Sequence, residues 1–142
     1  MMMTKSGVVT GTVVLPDSVR SLPKDSSVTI ALQDTSRVDR PAVDITTVTM
    51  TVGAWTRKAS AATDCIGGGP IRFCLCYHPS MLPNRFEHDW YTLRVKVESA
   101  DGILLCFNNR IVKALDDDGN PRRNLKIKTI AAQRSMFLAG FQ

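Results

Sequence analysis

The chain has 142 residues, of which 44% are hydrophobic and 22% charged, with a formal net charge of +5. This composition excludes wholesale disorder, and a chain of this size buries roughly 65–70% of its unfolded surface without needing a disulfide or metal staple. All 13 acidic residues precede residue 119, so the positive excess belongs to Arg122, Arg123, Lys126, Lys128 and Arg134.

Alternation of apolar and polar residues with period two, the mark of half-buried strands, runs through most of the chain. GVVTGTVVL (7–15) is rich in Val and Thr and stops at Pro16-Asp17. SSVTIALQD (26–34) puts Val28, Ile30 and Leu32 on one face and Thr29, Ala31 and Gln33 on the other. In AVDITTVTMTV (42–52) the apolar phase moves from Val43 and Ile45 to Val48, Met50 and Val52, and a β-bulge near Thr46–Thr47 accounts for the shift. The Ala-, Ser- and Gly-rich stretch 53–69 reads as a long connection. PIRFCLCYH (70–78) is the next strand, and 80–89 is a second connection with room for one helical turn.

WYTLRVKVES (90–99) turns Tyr91, Leu93, Val95 and Val97 to one face. The Asp101-Gly102 pair then signals a hairpin into ILLCFNN (103–109). Residues 109–115 continue that strand or form a short one of their own, and DDDGNPR (116–122) is a polar turn. NLKIKTIA (124–131) is the last strand, with Leu125 and Ile127 inward and Lys126 and Lys128 outward. The tail 131–142 carries Met136, Phe137, Leu138 and Phe141, which packs it on the core. Seven to eight short, mostly antiparallel strands without a long helix predict an all-β, single-domain β-sandwich over residues 1–142.

Several of these segments, in this order, resemble the YbaY/YscW family of small bacterial lipoproteins. The most specific is LQDTSRVDRPA (32–42); PIRFCLCYHPSMLP (70–83) and WYTLRVKVESADGILLCFNN (90–109) are similar to two further family strands, and the likeness spans about 8–130. The resemblance implies a compact sandwich and non-catalytic binding, since some members are pilotins, chaperones that bind and localise an outer-membrane secretin. Gln33, Asp34, Ser36, Arg37, Asp39, Pro41 and Ala42 fit the family's loop motif. Of these, Gln33, Asp34, Ser36, Arg37 and Asp39 are the candidate binding residues.

Cys74, Cys76 and His78 invite a metal or nucleophile reading. On an extended strand alternate Cα atoms lie about 6.6 Å apart, so one tetrahedral ion cannot gather all three. A thiol nucleophile needs a positive setting and a positioned base. Arg72 and His78 share the face, but no orienting third residue or oxyanion loop accompanies them. GGGP (67–70) lacks the Lys-Ser/Thr of a phosphate loop, and DDDG (116–119) lacks the spaced ligands of a calcium loop. In DTSRVDRP (34–41) the structural alternative is a turn whose Asp and Ser side chains satisfy backbone donors.

The start, MMMTKSGVVTGTVVLPD, has no long apolar core or cleavage site of a secretory signal. No run approaches the roughly 20 apolar residues of a membrane helix, and no lipidation motif is recognised. A cytoplasmic location without membrane insertion is expected, with Cys65, Cys74, Cys76 and Cys106 as reduced thiols. The expected function is a protein-interaction module without catalytic residues, metal or cofactor, acting on another protein and open to homodimerisation through edge strands. The alternatives are a small-ligand carrier with a pocket between the sheets and an enzyme using Cys74 or Cys76. Nucleic acid is not expected as a partner, because the basic residues of 122–134 lack interleaved stacking aromatics.

Overall fold

The computed structural model describes residues 6–36, 39–53, 55–56, 70–83 and 88–132. The β-rich segments pair into two main sheets. Strands β1 (Gly7–Val14), β6 (Ile71–Tyr77) and β9 (Leu125–Lys128) form a three-stranded sheet in the order β6-β1-β9. Strands β3 (Ser26–Asp34), β4 (Val43–Val52), β7 (Tyr91–Glu98), β8 (Leu104–Phe107) and β10 (Ile130–Ala131) form a five-stranded sheet in the order β10-β8-β7-β3-β4. Two-residue strands β2 (Ser21–Leu22) and β5 (Trp55–Thr56) pair separately. All pairs are antiparallel except β1–β9, which is parallel. Seven strands of four or more residues match the all-β sandwich expected from the alternation.

One apolar cluster lies between the sheets. Val9 and Val13 of β1, Phe73 and Leu75 of β6 and Ile127 of β9 meet Val28, Ile30 and Leu32 of β3 and Leu93, Val95 and Val97 of β7. Burying one such side chain contributes about 1.5–3 kcal/mol, so strict alternation locks the register of each central strand. β1 admits β6 closely only because two of its residues lack a Cβ. A Cβ at Gly11 would stand 2.7 Å from the Leu125 carbonyl oxygen and 2.8 Å from the Phe73 ring, and one at Gly7 would collide with the Tyr77 ring.

The phase shift in β4 is a bulge, one residue earlier than expected. Leu32 pairs with Thr46 and Gln33 with Asp44, which leaves Ile45 as the extra residue. The β7–β8 hairpin turns at Ala100-Asp101 and closes with Gly102 at φ +85°.

Residues 109–115 do not form the strand that was one expectation for them. The chain loops out and returns to β7 through the Thr92–Lys113 bridge, and Asn108 makes the splice. Its Oδ1 accepts from Val95 N–H at 2.7 Å, and its Nδ2 donates to Leu93 O at 3.0 Å and Arg110 O at 3.2 Å. A side-chain amide thus fills the ladder position that a backbone peptide would occupy. Past the loop, Leu93 N–H donates to Val112 O and Ala114 N–H to Tyr91 O, both at 2.9 Å.

The expected strand 124–131 is likewise divided. Thr129 is buried, and both its N–H and its Oγ1 donate to Val14 O, at 3.0 and 2.8 Å. This anchor ends β9 and sends the chain across to the other sheet as β10. The connection after β4 begins with β5, whose Trp55 is buried. The 80–89 connection opens with a 3-10 turn at Pro79–Met81 and ends in another at His88–Trp90. The rest of 57–69 and the tail residues Met136–Phe141 lie outside the described residues.

Candidate functional site

In β6, Ile71, Phe73, Leu75 and Tyr77 are buried and Arg72, Cys74 and Cys76 are exposed, as alternation requires. Both cysteines are free thiols. The Cys74 thiol titrates above its ordinary value, chiefly through local desolvation, then through the charge and hydrogen bond of Cys76, with Arg123 acting in the opposite sense. A raised thiol pKa lowers the thiolate fraction at neutral pH, contrary to what a nucleophile needs. His78 does not serve Cys76: its Nδ1 lies 2.7 Å from Ser80 Oγ and accepts from Ser80 N–H at 3.1 Å, capping the following turn. Among the described residues no three of His, Cys, Asp and Glu are placed to share a metal ion. Cys106 is fully buried, and burial pushes its thiol up to about 11.

The motif loop after β3 is tied at both ends. Gln33 Nε2 donates to Asp44 Oδ1 at 2.7 Å. Asp34 Oδ1 accepts from Ser36 N–H at 2.8 Å, an Asx turn of the kind the local sequence suggests. Thr35 donates through both N–H and Oγ1 to Trp90 O, each at 2.9 Å. Gln33, Asp34 and Ser36 therefore cluster where β3 leaves the sheet toward β4, and Asp39 is exposed beyond them. Arg37 lies outside the described residues. The Asp116 carboxylate in the DDDG turn accepts from Asp118 and Asn120 N–H, both at 2.9 Å, so it serves the turn's backbone.

Between the sheets the middle of the molecule is filled. Val9, Ile30, Leu32, Leu75, Val95 and Ile127 are all at most 1% exposed. That packing speaks against a carrier pocket at the sandwich centre. A groove of about 390 Å³ opens instead at one end, lined by Tyr77, Leu82, Leu115 and Pro121 among others.

The sequence reading passed over a different feature, the edge of β4. β4 runs ten residues and pairs only with β3 among the described residues, none of which hydrogen-bonds along its other backbone edge. From Thr46 to Val52 its register is regular, without charge, Pro or Gly. Its inward side chains Ile45, Val48, Met50 and Val52 are only half-buried, whereas their neighbours on β3 are fully buried. β6 is also an edge strand, and it comes within 8 Å of β4 at Cα on the same flank. Natural edges are usually blunted by charge, Pro or a bulge. Here the bulge at Ile45 protects only the start of the strand. The uncharged, Thr- and Val-rich run TTVTMTV was the available signal in the sequence.

No helix among the described residues is long and apolar enough to cross a membrane. No curated protein matches the sequence. A solved structure described as an alternative pilotin from the type II secretion system of Vibrio cholerae superposes with a TM-score of 0.64 at 21% identity, covering 91% of this chain and 99% of that one. At that identity the likeness shows a shared fold. The family model of the type III secretion system lipoprotein chaperone, YscW, matches residues 4–127. With most of its length matched, the chain belongs to the YscW family of type III secretion system lipoprotein chaperones.

Proposed function

We propose that this chain is a non-catalytic, chaperone-like domain that binds another protein by adding an extended partner segment to the open edge of β4. The observation that carries the reading is the uncharged, regular run 46–52, whose outer backbone edge is unpaired among the described residues, with half-buried Val48 and Met50 below it. An added strand would satisfy the edge N–H and C=O groups and cover those side chains, which is how sheet edges recognise peptides. Family membership and the pilotin fold support a protein of a secretion apparatus as partner, with an outer-membrane secretin first in line. In this proposal Gln33, Asp34, Ser36 and Asp39 form the polar rim at the start of β4, and Arg37 is a further binding candidate from the family's loop motif. The core common to both sheets supports one domain acting as a unit over 1–142.

The test is titration of overlapping peptides from the C-terminal region of a secretin encoded in the same genome, by calorimetry. Val48→Lys points a cation inward at the free edge, where water still reaches it; an added strand would bury it unpaired. A peptide that binds the parent and loses at least about tenfold in affinity to Val48→Lys, equivalent to 1.4 kcal/mol, supports the placement. Binding that ignores Val48→Lys removes β4 from the interface. A second copy of this chain is the competing occupant. A dimer that dissociates on Val48→Lys and binds no secretin peptide would refute the partner.

A further inference from the structure

The fold gathers basic residues that are far apart in sequence. β1 lies between β6 and β9, and the registers place Arg72 and Lys126 on either side of Thr12. The three residues thus form one outward row across the sheet. Two strand spacings put the two cations about 10 Å apart. The next outward row carries Cys74, Thr10 and Asn124, with Asn124 N–H donating to Thr10 Oγ1 at 3.0 Å. Lys128 stands beyond Lys126, opposite Val14. Arg123 stands at the rim, close enough to act on the Cys74 thiol. A shallow groove of about 450 Å³ runs between Arg72 and Lys126 over Thr10 and Thr12.

Among the described residues no ion pair holds the cations of this face, and an acid at its rim is in the polar turn, where Asp118 lines one groove with Arg123. None of β1, β6 and β9 contains an Asp or Glu. The one ion pair among the described residues, Lys113–Asp89 at 3.0 Å, lies elsewhere. Arg122 turns away and donates to Lys113 O. Arg72, Lys126 and Lys128 are exposed, as is Val14 beside Lys128 at 37%.

We propose that the outer face of the three-stranded sheet docks on an anionic phospholipid surface, through Arg72, Lys126, Lys128 and Arg123. Charge complementarity argues for an anionic occupant. The spread of the cations over β6, β9 and the rim, with exposed Val14, Cys74 and Cys76 on the same face, suits an extended surface better than one bound group. Phe73 and Tyr77 point into the core, so the face offers no aromatic platform for nucleic-acid bases. Each basic residue near such a surface strengthens binding about fivefold. Docking is therefore reversible, leaves β4 free, and weakens as salt shortens the screening length.

The test is co-sedimentation of the full chain with vesicles of phosphatidylcholine alone or with phosphatidylglycerol, at low and high salt. Binding only to the anionic vesicles, lost at high salt and reduced about 25-fold or more in Lys126→Glu/Lys128→Glu, supports the proposal. Both side chains are exposed, so an unchanged thermal midpoint shows that the variant is folded. A second readout is an environment-sensitive fluorophore on Cys76, in a Cys65→Ser/Cys74→Ser background. Its emission shifts to the blue when anionic vesicles are added if the face meets the lipid. Absence of binding at low salt, equal binding to neutral vesicles, or binding indifferent to the charge reversal each overturns the proposal. Tighter retention on poly-glutamate than on anionic vesicles at equal salt overturns it too, because the occupant is then an acidic polypeptide.

Discussion

Asn108 is the side chain whose loss should cost the fold most for its size. Replacing it with Ala removes the acceptor of Val95 N–H and the donor to Leu93 O, bonds of 2.7 and 3.0 Å in a half-buried setting. Both orphaned groups belong to β7, the strand between β3 and β8. Leaving a buried backbone group unsatisfied costs about 1–3 kcal/mol. Two such groups, with some relief from water at the loop, give a loss of about 2–5 kcal/mol. That is a large share of the roughly 5–15 kcal/mol that stabilises an ordinary domain. Asn108→Asp keeps the acceptor but turns a carboxylate oxygen toward Leu93 O, so it should not restore stability at neutral pH. Asn109→Ala, next door and without these bonds, should change stability by less than about 0.5 kcal/mol. Urea denaturation followed by circular dichroism measures all three. An Asn108→Ala midpoint within error of the Asn109→Ala midpoint, at unchanged slope, would refute the splice.

Two further substitutions and one pH window follow from the packing. Gly11→Ala drives a methyl toward the Leu125 carbonyl oxygen and the Phe73 ring, so thermal unfolding should show a loss of about 1–3 kcal/mol. Gly53→Ala meets nothing within 4 Å and should be neutral or gain up to about 1 kcal/mol by restricting the unfolded chain. The Cys106 thiol rises from 9.0 to about 11 in the folded state, which makes the neutral thiol the favoured native form. Its contribution is complete below pH 9 and is lost as pH climbs through 11. At 1.36 kcal/mol per pKa unit, the loss is at most about 3 kcal/mol. Tyr77, raised by burial and by Asp116, adds a decline of the same sign at higher pH. Cys106→Ala should flatten the first part of the alkaline slope, and an unchanged slope would mean that the thiol does not ionise in that range.

The strands were legible because burial on one face imposes a period-two code, as β6 shows with Ile71, Phe73, Leu75 and Tyr77 inward and Arg72, Cys74 and Cys76 outward. The bulge at Ile45 was legible for the same reason, since an extra residue must invert the phase. Asn108 was not: a side chain standing in for a peptide leaves no periodic trace, and its partners Val95 and Leu93 are set by tertiary pairing. The division at Thr129 was hidden similarly, because Leu125, Ile127 and Ala131 keep one alternation although they serve two sheets. The basic face depends on β9 lying beside β1, a parallel pairing of segments more than a hundred residues apart. Local sequence could show Lys126 and Lys128 as outward but could not bring Arg72 to them. The motif loop was read as a turn or a binding loop. Its Gln and Asp side-chain chemistry shows in the Asp34–Ser36 and Gln33–Asp44 bonds, and its part in binding is a proposal.

A partner strand added to β4 would change the exchange of its backbone amides. Hydrogen–deuterium exchange of the chain with and without a bound secretin peptide tests it most directly. The β4 amides between Thr46 and Val52 that do not bond to β3 should exchange quickly in the free protein and become strongly protected in the complex. Amides of β9, on the other sheet, should keep their rates. Protection confined to other segments, with the β4 edge exchanging as fast in the complex as alone, would contradict strand addition.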